Sequence, residues 1–315
     1  TMLRPLLIPL TYFCLQTWLG IPQLSMMPDA FDDQYLGCAE EMDEIAPKLL
    51  KEEKSMSSVF CSVWDKANET WKNMKTISRP DGFKDEYGIA IVAYTDPTKY
   101  PEYKKTFSTI FNDAVSGTNR SRAAYMASFQ FKAFHYYLTR ALQLLWKDAG
   151  GKCGAMYKTT VYRGVNTSSK YTGQASIRFG YFASSSINRK VAESFGKATF
   201  FTIHTCFGVK IQDMSYNPEQ EEVLIPAYEI FSMSQGQGSN HFILQSTKQN
   251  CSNCNCAYLG GEYWAEQEKY LCGAICCGGF ENSTSGRCGW HWSLPCCSGG
   301  LGFSCTYQVQ KSRNL

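Results

Sequence analysis

The chain predicts an α+β fold, with a helical N-terminal half followed by a strand-rich half. Three observations carry this. Apolar residues recur at helical spacing through much of residues 29–147. Short strand-like runs separated by turn residues follow Gly150-Gly151. Neither a G-x-G-x-x-G turn nor a P-loop is present, so the common nucleotide cradles of alternating, doubly wound sheets are missing. Helices first and strands second is the order of a segregated arrangement. With 315 residues the chain allows one large domain or two small ones. At 44% hydrophobic and 19% charged residues it is not a disordered chain.

Residues 1–25 are expected to be a secretory leader. Arg4 precedes an apolar stretch from Pro5 to Gly20 that is too short and too interrupted to span a bilayer, and cleavage is expected near Ser25. The rival, a buried N-terminal helix, is disfavoured by Pro5 and Pro9. Removing the leader takes Cys14 from the 15 cysteines and leaves an even set of fourteen. So many cysteines point to an oxidising compartment or to metal. Sequons at Asn68, Asn119, Asn166 and Asn282 agree with secretion. No later run reaches 18 apolar residues, and the polar tail 308–315 has no lipid-anchor signal, so neither a membrane span nor an anchor is expected. The net charge is +3 with no basic block, which leaves nucleic-acid binding without an electrostatic footprint.

Within the helical half, Val59, Phe60, Val63, Trp64, Ala67, Trp71 and Met74 fall at helical spacing, and residues 123–146 predict one longer helix. Residues 88–95 are too short and too uniformly apolar to separate helix from strand. The strand-like runs are 159–162, 181–183, 199–205, 222–225, 229–232 and 242–244. Ten cysteines lie between Cys251 and Cys305, among many glycines. We therefore divide the chain into a leader (1–25), a main domain (26–260) and a Cys-rich C-terminal extension (261–315).

Three short strings in the second half carry chemistry. They are Val161-Tyr162-Arg163-Gly164, with an arginine ending a strand; Phe182-Ala183-Ser184-Ser185-Ser186, with hydroxyls just after an aromatic strand; and Glu219-Gln220-Glu221-Glu222-Val223-Leu224-Ile225-Pro226, with acids opening a buried strand. Singly, each has an ordinary explanation: an ion-paired arginine, a turn or helix N-cap before residues 188–195, and a solvated acidic loop.

Together, an arginine, a Ser-x-Ser and a Gln/Glu-x-Glu at successive strand ends resemble the mono-ADP-ribosyltransferase signature. Longer stretches at 156–165, 177–187, 200–209 and 222–231 resemble the vertebrate ecto-mono-ADP-ribosyltransferase family, arginine type. The resemblance covers residues 29–260 and not the Cys-rich tail. It implies the ADP-ribosyltransferase fold, with a mixed, strand-rich NAD-binding core of two packed sheets. It also implies NAD as substrate, no metal, and a protein acceptor, expected to be extracellular. Cleaving the nicotinamide–ribose bond leaves an oxocarbenium-like sugar, which a nearby carboxylate stabilises. The resemblance gives that role to Glu222. It gives Ser184 the task of holding Glu222, and Arg163, with Gly164, the NAD diphosphate or ribose oxygens, which suit a forked guanidinium.

In the family the catalytic Glu directly precedes the Val-Leu-Ile-Pro strand, which makes Glu222 the acid and Gln220 the residue two before it. Strand alternation would put 220 and 222 on one face; a shifted register would pair Glu219 with Glu221 instead. Gln220 replaces the acid that faces the acceptor in arginine-modifying relatives. It offers hydrogen bonds but no carboxylate to attract or deprotonate a guanidinium. NAD hydrolysis is therefore a second reading, and a non-catalytic secreted binding protein a third. Tyr216 is expected either beside the acceptor or packed on its own strand, and Phe195 either stacked on nicotinamide or in the core. Arg178 either supports the NAD site or pairs with an acid. A glycan on Asn166 would crowd the cleft, so that sequon is expected to be unused, leaving Asn68, Asn119 and Asn282. By resemblance, Cys38 pairs with Cys256 and Cys153 with Cys206. Cys61, Cys251 and Cys254 have no such assignment, and Cys61 reads as a buried free thiol. The four histidines show no metal spacing.

Overall fold

Six helices lead the described chain: α1 (Ala39–Met56), α2 (Ser58–Asn73), α3 (Asp85–Tyr94), α4 (Phe107–Gly117), α5 (Arg122–Ser128) and α6 (Lys132–Asp148). A small ribbon of β1 (Lys99–Tyr100) and β2 (Lys105–Thr106) separates α3 from α4. The structure is a computed structural model that describes residues 25–74, 77–117, 122–169 and 176–260. Residues 1–24 of the expected leader, the Cys-rich extension, Asn119, Asn282 and His291 lie outside those residues.

Ser57 opens α2 as its N-cap, accepting from the Phe60 amide at 3.2 Å. The helix then buries Phe60, Val63, Trp64, Ala67 and Trp71 along one face, as their spacing predicts. The ambiguous run at 88–95 forms most of α3, and every residue from Tyr87 to Tyr94 is buried. A helix covered on all sides has no polar face, which is why periodicity could not identify it. Gly88 is required in α3, because a Cβ there would fall 2.2 Å from the Trp71 ring.

The expected single helix over 123–146 is two helices, α5 and α6. Glu53 of α1 supplies the reason: its Oε1 accepts the Ala133 amide at 2.9 Å, taking up a free donor where α6 begins. Burial raises the Glu53 carboxyl to about 8. Below it, Phe107 and Phe111 pack edge-on against Phe134, each 4.8 Å between ring centroids, in the larger of the two cores.

The second half holds α7 (Ala155–Lys158), β3 (Val161–Val165), β4 (Ser176–Ile177), β5 (Ala183–Ser186), α8 (Arg189–Phe195), β6 (Thr199–His204), β7 (Val209–Lys210), β8 (Glu222–Ile225), β9 (Glu229–Gln235) and β10 (His241–Asn250). The strands lie in the order β4-β9-β10-β6-β3-β5-β8-β7. β6 and β10 run parallel and the other pairs antiparallel, so the sheet is mixed. The two expected sheets are thus hydrogen-bonded into one eight-stranded order. They meet at a single residue pair, Tyr162–Ser186, between β3 and β5. Alternation along β8 serves two cores: Leu224 packs with the helical half, while Val223 and Ile225 join the second cluster with Val161, Phe201 and Phe231.

Both disulfides implied by the resemblance are present, Cys38–Cys256 and Cys153–Cys206. Cys251 is disulfide-bonded as well, whereas Cys61 and Cys254 are free thiols. Cys61 is only partly buried on α2, 3.4 Å from Asp65 Oδ2, so the expectation of a buried thiol there is corrected.

Arg178 is an internal clasp, which decides between its two readings. It is 1% exposed and pairs with Asp32, and its Nη1 donates to the Cys251 carbonyl at 2.8 Å and its Nε to Met26 at 2.9 Å. Asp32 in turn accepts the Asn253 amide at 2.7 Å, and Asp33 accepts those of Cys256 and Ala257. The first described residues and residues 251–257 are so fastened together. Replacing Arg178 with Met strands a buried carboxylate, and we predict a loss of about 3–5 kcal/mol in urea unfolding.

Candidate active site

Glu222 opens β8 and is 6% exposed. It shares the parity of Leu224, so it lies on the sheet face turned to the helical half. Pairing sets its neighbours: Ser186 lies opposite Glu222, and Ser184 lies opposite Leu224, two residues along the same face. Burial pushes the Glu222 carboxyl above its ordinary 4.5, while a hydrogen bond with the Ser184 side chain and the Arg163 charge pull it back. Arg163, within β3, sends Nη1 to the Ser184 carbonyl at 2.6 Å. Its Nε is buried and has no partner among the described residues. The guanidinium carbon lies 5.7 Å from the Tyr181 ring and 5.9 Å from that of Phe179. The structure therefore brings Arg163, Ser184 and Glu222 together.

Two expectations about strand ends are corrected. Arg163 sits inside its strand, and the serines form β5 itself instead of following it. β5 carries them because its edges are paired, lightly with β3 and fully with β8.

The acids separate by backbone conformation. Pro218–Gln220 is a single 3-10 turn, and Glu221 follows in the left-handed region at φ 47°. Alternation therefore does not extend back from Glu222 to Gln220, and that argument for the register is corrected. The choice of Glu222 rests on contacts instead. Glu219 is exposed, and the Glu221 carboxylate meets Asn188 Nδ2 at 3.4 Å, outside the cluster of Arg163 and Ser184. Gln220 is held by its carbonyl, which accepts from Ser186 Oγ at 2.7 Å.

Phe195 ends α8 at 55% exposure, so it is not a core aromatic. Gly164 has a packing role: a Cβ there would meet the carbonyls of Ala192 and Gly196 at 2.3 Å, so its hydrogen lets α8 lie on β3. Tyr216 packs against the larger core, with its ring 4.8 Å from Lys66 Nζ on α2. Asn166 is exposed where β3 meets the end of α8, and Asn68 is half-buried on α2. Among the described residues no group of three or more His, Cys, Asp or Glu converges as a metal site would require.

Sequence reasoning missed a clamp from the helical half. The Tyr94 hydroxyl donates to the Phe182 carbonyl at 2.6 Å. Asn112 Nδ2 donates to the same carbonyl and to the Tyr94 hydroxyl, both at 2.9 Å, and its Oδ1 accepts the Phe182 amide at 3.2 Å. Ser184 and Asn112 each hydrogen-bond Tyr94, whose hydroxyl burial holds up at about 12. The clamp fixes the entry to β5 two residues before Ser184. Tyr94 carried no signal, because it ends the unbroken buried run 87–94 and reads as core.

A buried glutamate, a serine and an arginine thus meet at one seam of the strand-rich core. The family model described as NAD:arginine ADP-ribosyltransferase matches residues 24–252. Ecto-ADP-ribosyltransferase 5 of Rattus norvegicus is 45% identical over 246 residues, covering 76% of this chain and 77% of the relative. Its Homo sapiens counterpart is 44% identical over 271 residues, covering 82% and 90%. A crystal structure of the eucaryotic mono-ADP-ribosyltransferase ART2.2 superposes with a TM-score of 0.65 at 43% identity, covering 75% of this chain and 99% of that one. The chain belongs to the NAD:arginine ADP-ribosyltransferase family, a class of enzymes that take ADP-ribose from NAD.

Asn112→Ala removes three hydrogen bonds and leaves the Phe182 amide without its acceptor. We expect urea unfolding to record a loss of about 1–3 kcal/mol.

Proposed function

We propose that the protein binds NAD at the seam of Arg163, Ser184 and Glu222, cleaves its nicotinamide–ribose bond and delivers ADP-ribose to a protein acceptor. The observation that carries this reading is the buried Glu222 carboxylate, held by Ser184 and faced by Arg163. A mutant of ART2.2 has been crystallised with NAD, and at 44% identity it supports NAD as the substrate here.

In this reading the Arg163 guanidinium, with a buried Nε still to be satisfied, takes diphosphate or ribose oxygens. The exposed Phe195 ring supplies a stacking surface at the end of α8, and the close packing at Gly164 keeps α8 on β3. The C1′–N bond breaks with its electron pair leaving on nicotinamide. Positive charge develops on the ribose, and Glu222 stabilises it where burial makes the attraction strong. An acceptor nucleophile then gives its electron pair to C1′ and releases a proton. Ser184 keeps the carboxylate in place during both events.

Gln220 bears on that last proton. An amide accepts a hydrogen bond but does not take up the proton of a guanidinium. That residue supports a second reading, in which water is the acceptor and free ADP-ribose the product. The "ecto" relatives and the disulfides support an extracellular or cell-surface location. Residues 1–25 would serve as the secretory leader, and the acceptor would be extracellular. No helix among the described residues is long and apolar enough to cross a membrane.

The test is nicotinamide release from NAD by disulfide-intact protein, with free and acceptor-linked ADP-ribose measured in parallel beside a guanidino compound. Glu222→Gln is expected to lower release by about 10²–10³-fold. Gln220→Glu is expected to raise transfer to the guanidino acceptor by at least about tenfold. Absence of release from the folded wild type would overturn the proposal, and release without linked product would favour hydrolysis.

A further inference from the structure

The segment that carries Gln220 is fastened to the helical half by groups that the reaction above does not use. Residues 211–221 run between β7 and β8. Near their middle, the Tyr216 amide donates to Thr95 Oγ1 at 2.9 Å, just beyond α3, and the Tyr216 ring lies 4.8 Å from Lys66 Nζ on α2. That ammonium is itself pinned. It donates to both oxygens of Asp96, at 3.0 and 3.1 Å, and to Thr98 Oγ1 at 2.8 Å. Asp96 is 3% exposed and also accepts the Thr98 amide and hydroxyl, at 3.0 and 2.7 Å. A buried carboxylate thus holds the ammonium, and the ammonium holds Tyr216 through its ring and a side-chain hydrogen bond. At its other end the segment is held by the sheet, through Ser186 Oγ to the Gln220 carbonyl at 2.7 Å. The 3-10 turn that presents Gln220 sits between these two tethers.

We propose that Lys66 is a positioning residue for acceptor use: by fixing Tyr216 it sets where the turn bearing Gln220 stands beside Glu222. It thereby sets the share of ADP-ribose that reaches a protein acceptor instead of water. This rests on the transfer reading above. Among the described residues Lys66 meets Asp96, Thr98 and Tyr216, so its influence on the site passes through Tyr216. Sequence gives no sign of it, because Lys66 falls among the polar positions of α2, where a lysine is ordinarily solvated.

The experiment measures linked ADP-ribose per nicotinamide released, together with deuterium exchange of the amides in 212–219. Lys66→Met strands the buried Asp96 and risks unfolding, so Tyr216→Leu, which keeps the Lys66–Asp96–Thr98 contacts, is its companion. Each is expected to lower the ratio by about two- to fivefold, the effect of releasing one cation held on a half-exposed ring. Lys66→Arg should preserve the ratio, and the double variant Lys66→Met with Tyr216→Leu should lower it no further than either alone. Exchange in 212–219 should quicken by a similar factor in Tyr216→Leu. An unaltered ratio in folded Tyr216→Leu overturns the proposal, as does a fall in transfer matched by an equal fall in nicotinamide release. The exchange arm needs no acceptor, so it reads the anchor separately from the transfer reading. Unaltered exchange in Tyr216→Leu also counts against the proposal.

Discussion

A carboxylate taken out of water holds a proton unless donors or a cation stand beside it, and Glu222 is placed under that constraint at the seam of two layers. It is 6% exposed, and what favours its charged form is the Ser184 side chain and the Arg163 guanidinium. Both lie on strands other than its own: Ser184 on β5 and Arg163 on β3. The site therefore exists only when three strands are in register, and a one-residue slip of β8 would carry Glu222 to the opposite face.

Much of the surrounding structure works to hold that register. The alternating residues of β8 bury Leu224 in one core and Val223 and Ile225 in the other, so slippage would disturb both. Tyr94 and Asn112 grip the Phe182 peptide from the helical half and locate β5 along its own direction. This grip matters because β5 meets β3 through one residue pair alone. Farther away, the Arg178–Asp32 pair and the Cys38–Cys256 disulfide tie the first described residues to residues 251–257. Bridging a sequence separation of 218 residues restricts the unfolded chain strongly, by about 5 kcal/mol from loop-closure entropy.

The helical half, the order of the strands along the chain and the residues of the seam were readable in the sequence, but for different reasons. α2 announced itself through Phe60, Val63, Trp64, Ala67 and Trp71, a face that only a helix makes continuous. Arg163, Ser184 and Glu222 were readable through resemblance, since each residue alone has an ordinary structural explanation. What was not readable depends on contacts between distant segments. Glu53 divides the stretch 123–146 from 80 residues away, and Asn112 finds Phe182 from 70 away. The left-handed turn at Glu221 breaks the alternation that seemed to link residues 220 and 222. A helix covered on every side, such as α3, carries no period to read, and with it Tyr94 stayed hidden.

If the burial of Glu222 governs the site, the pH profile of kcat/KM for NAD cleavage reports it most directly. In the proposed reaction the ionised Glu222 carboxylate stabilises the sugar cation, and burial raises this group above the ordinary 4.5, so activity should be lost on acidification at a midpoint above that value. The Ser184 side chain favours the charged form, so Ser184→Ala should move the acid limb to still higher pH. A wild-type limb at or below 4.5, or a Ser184→Ala limb that stays in place or moves down, would contradict the account.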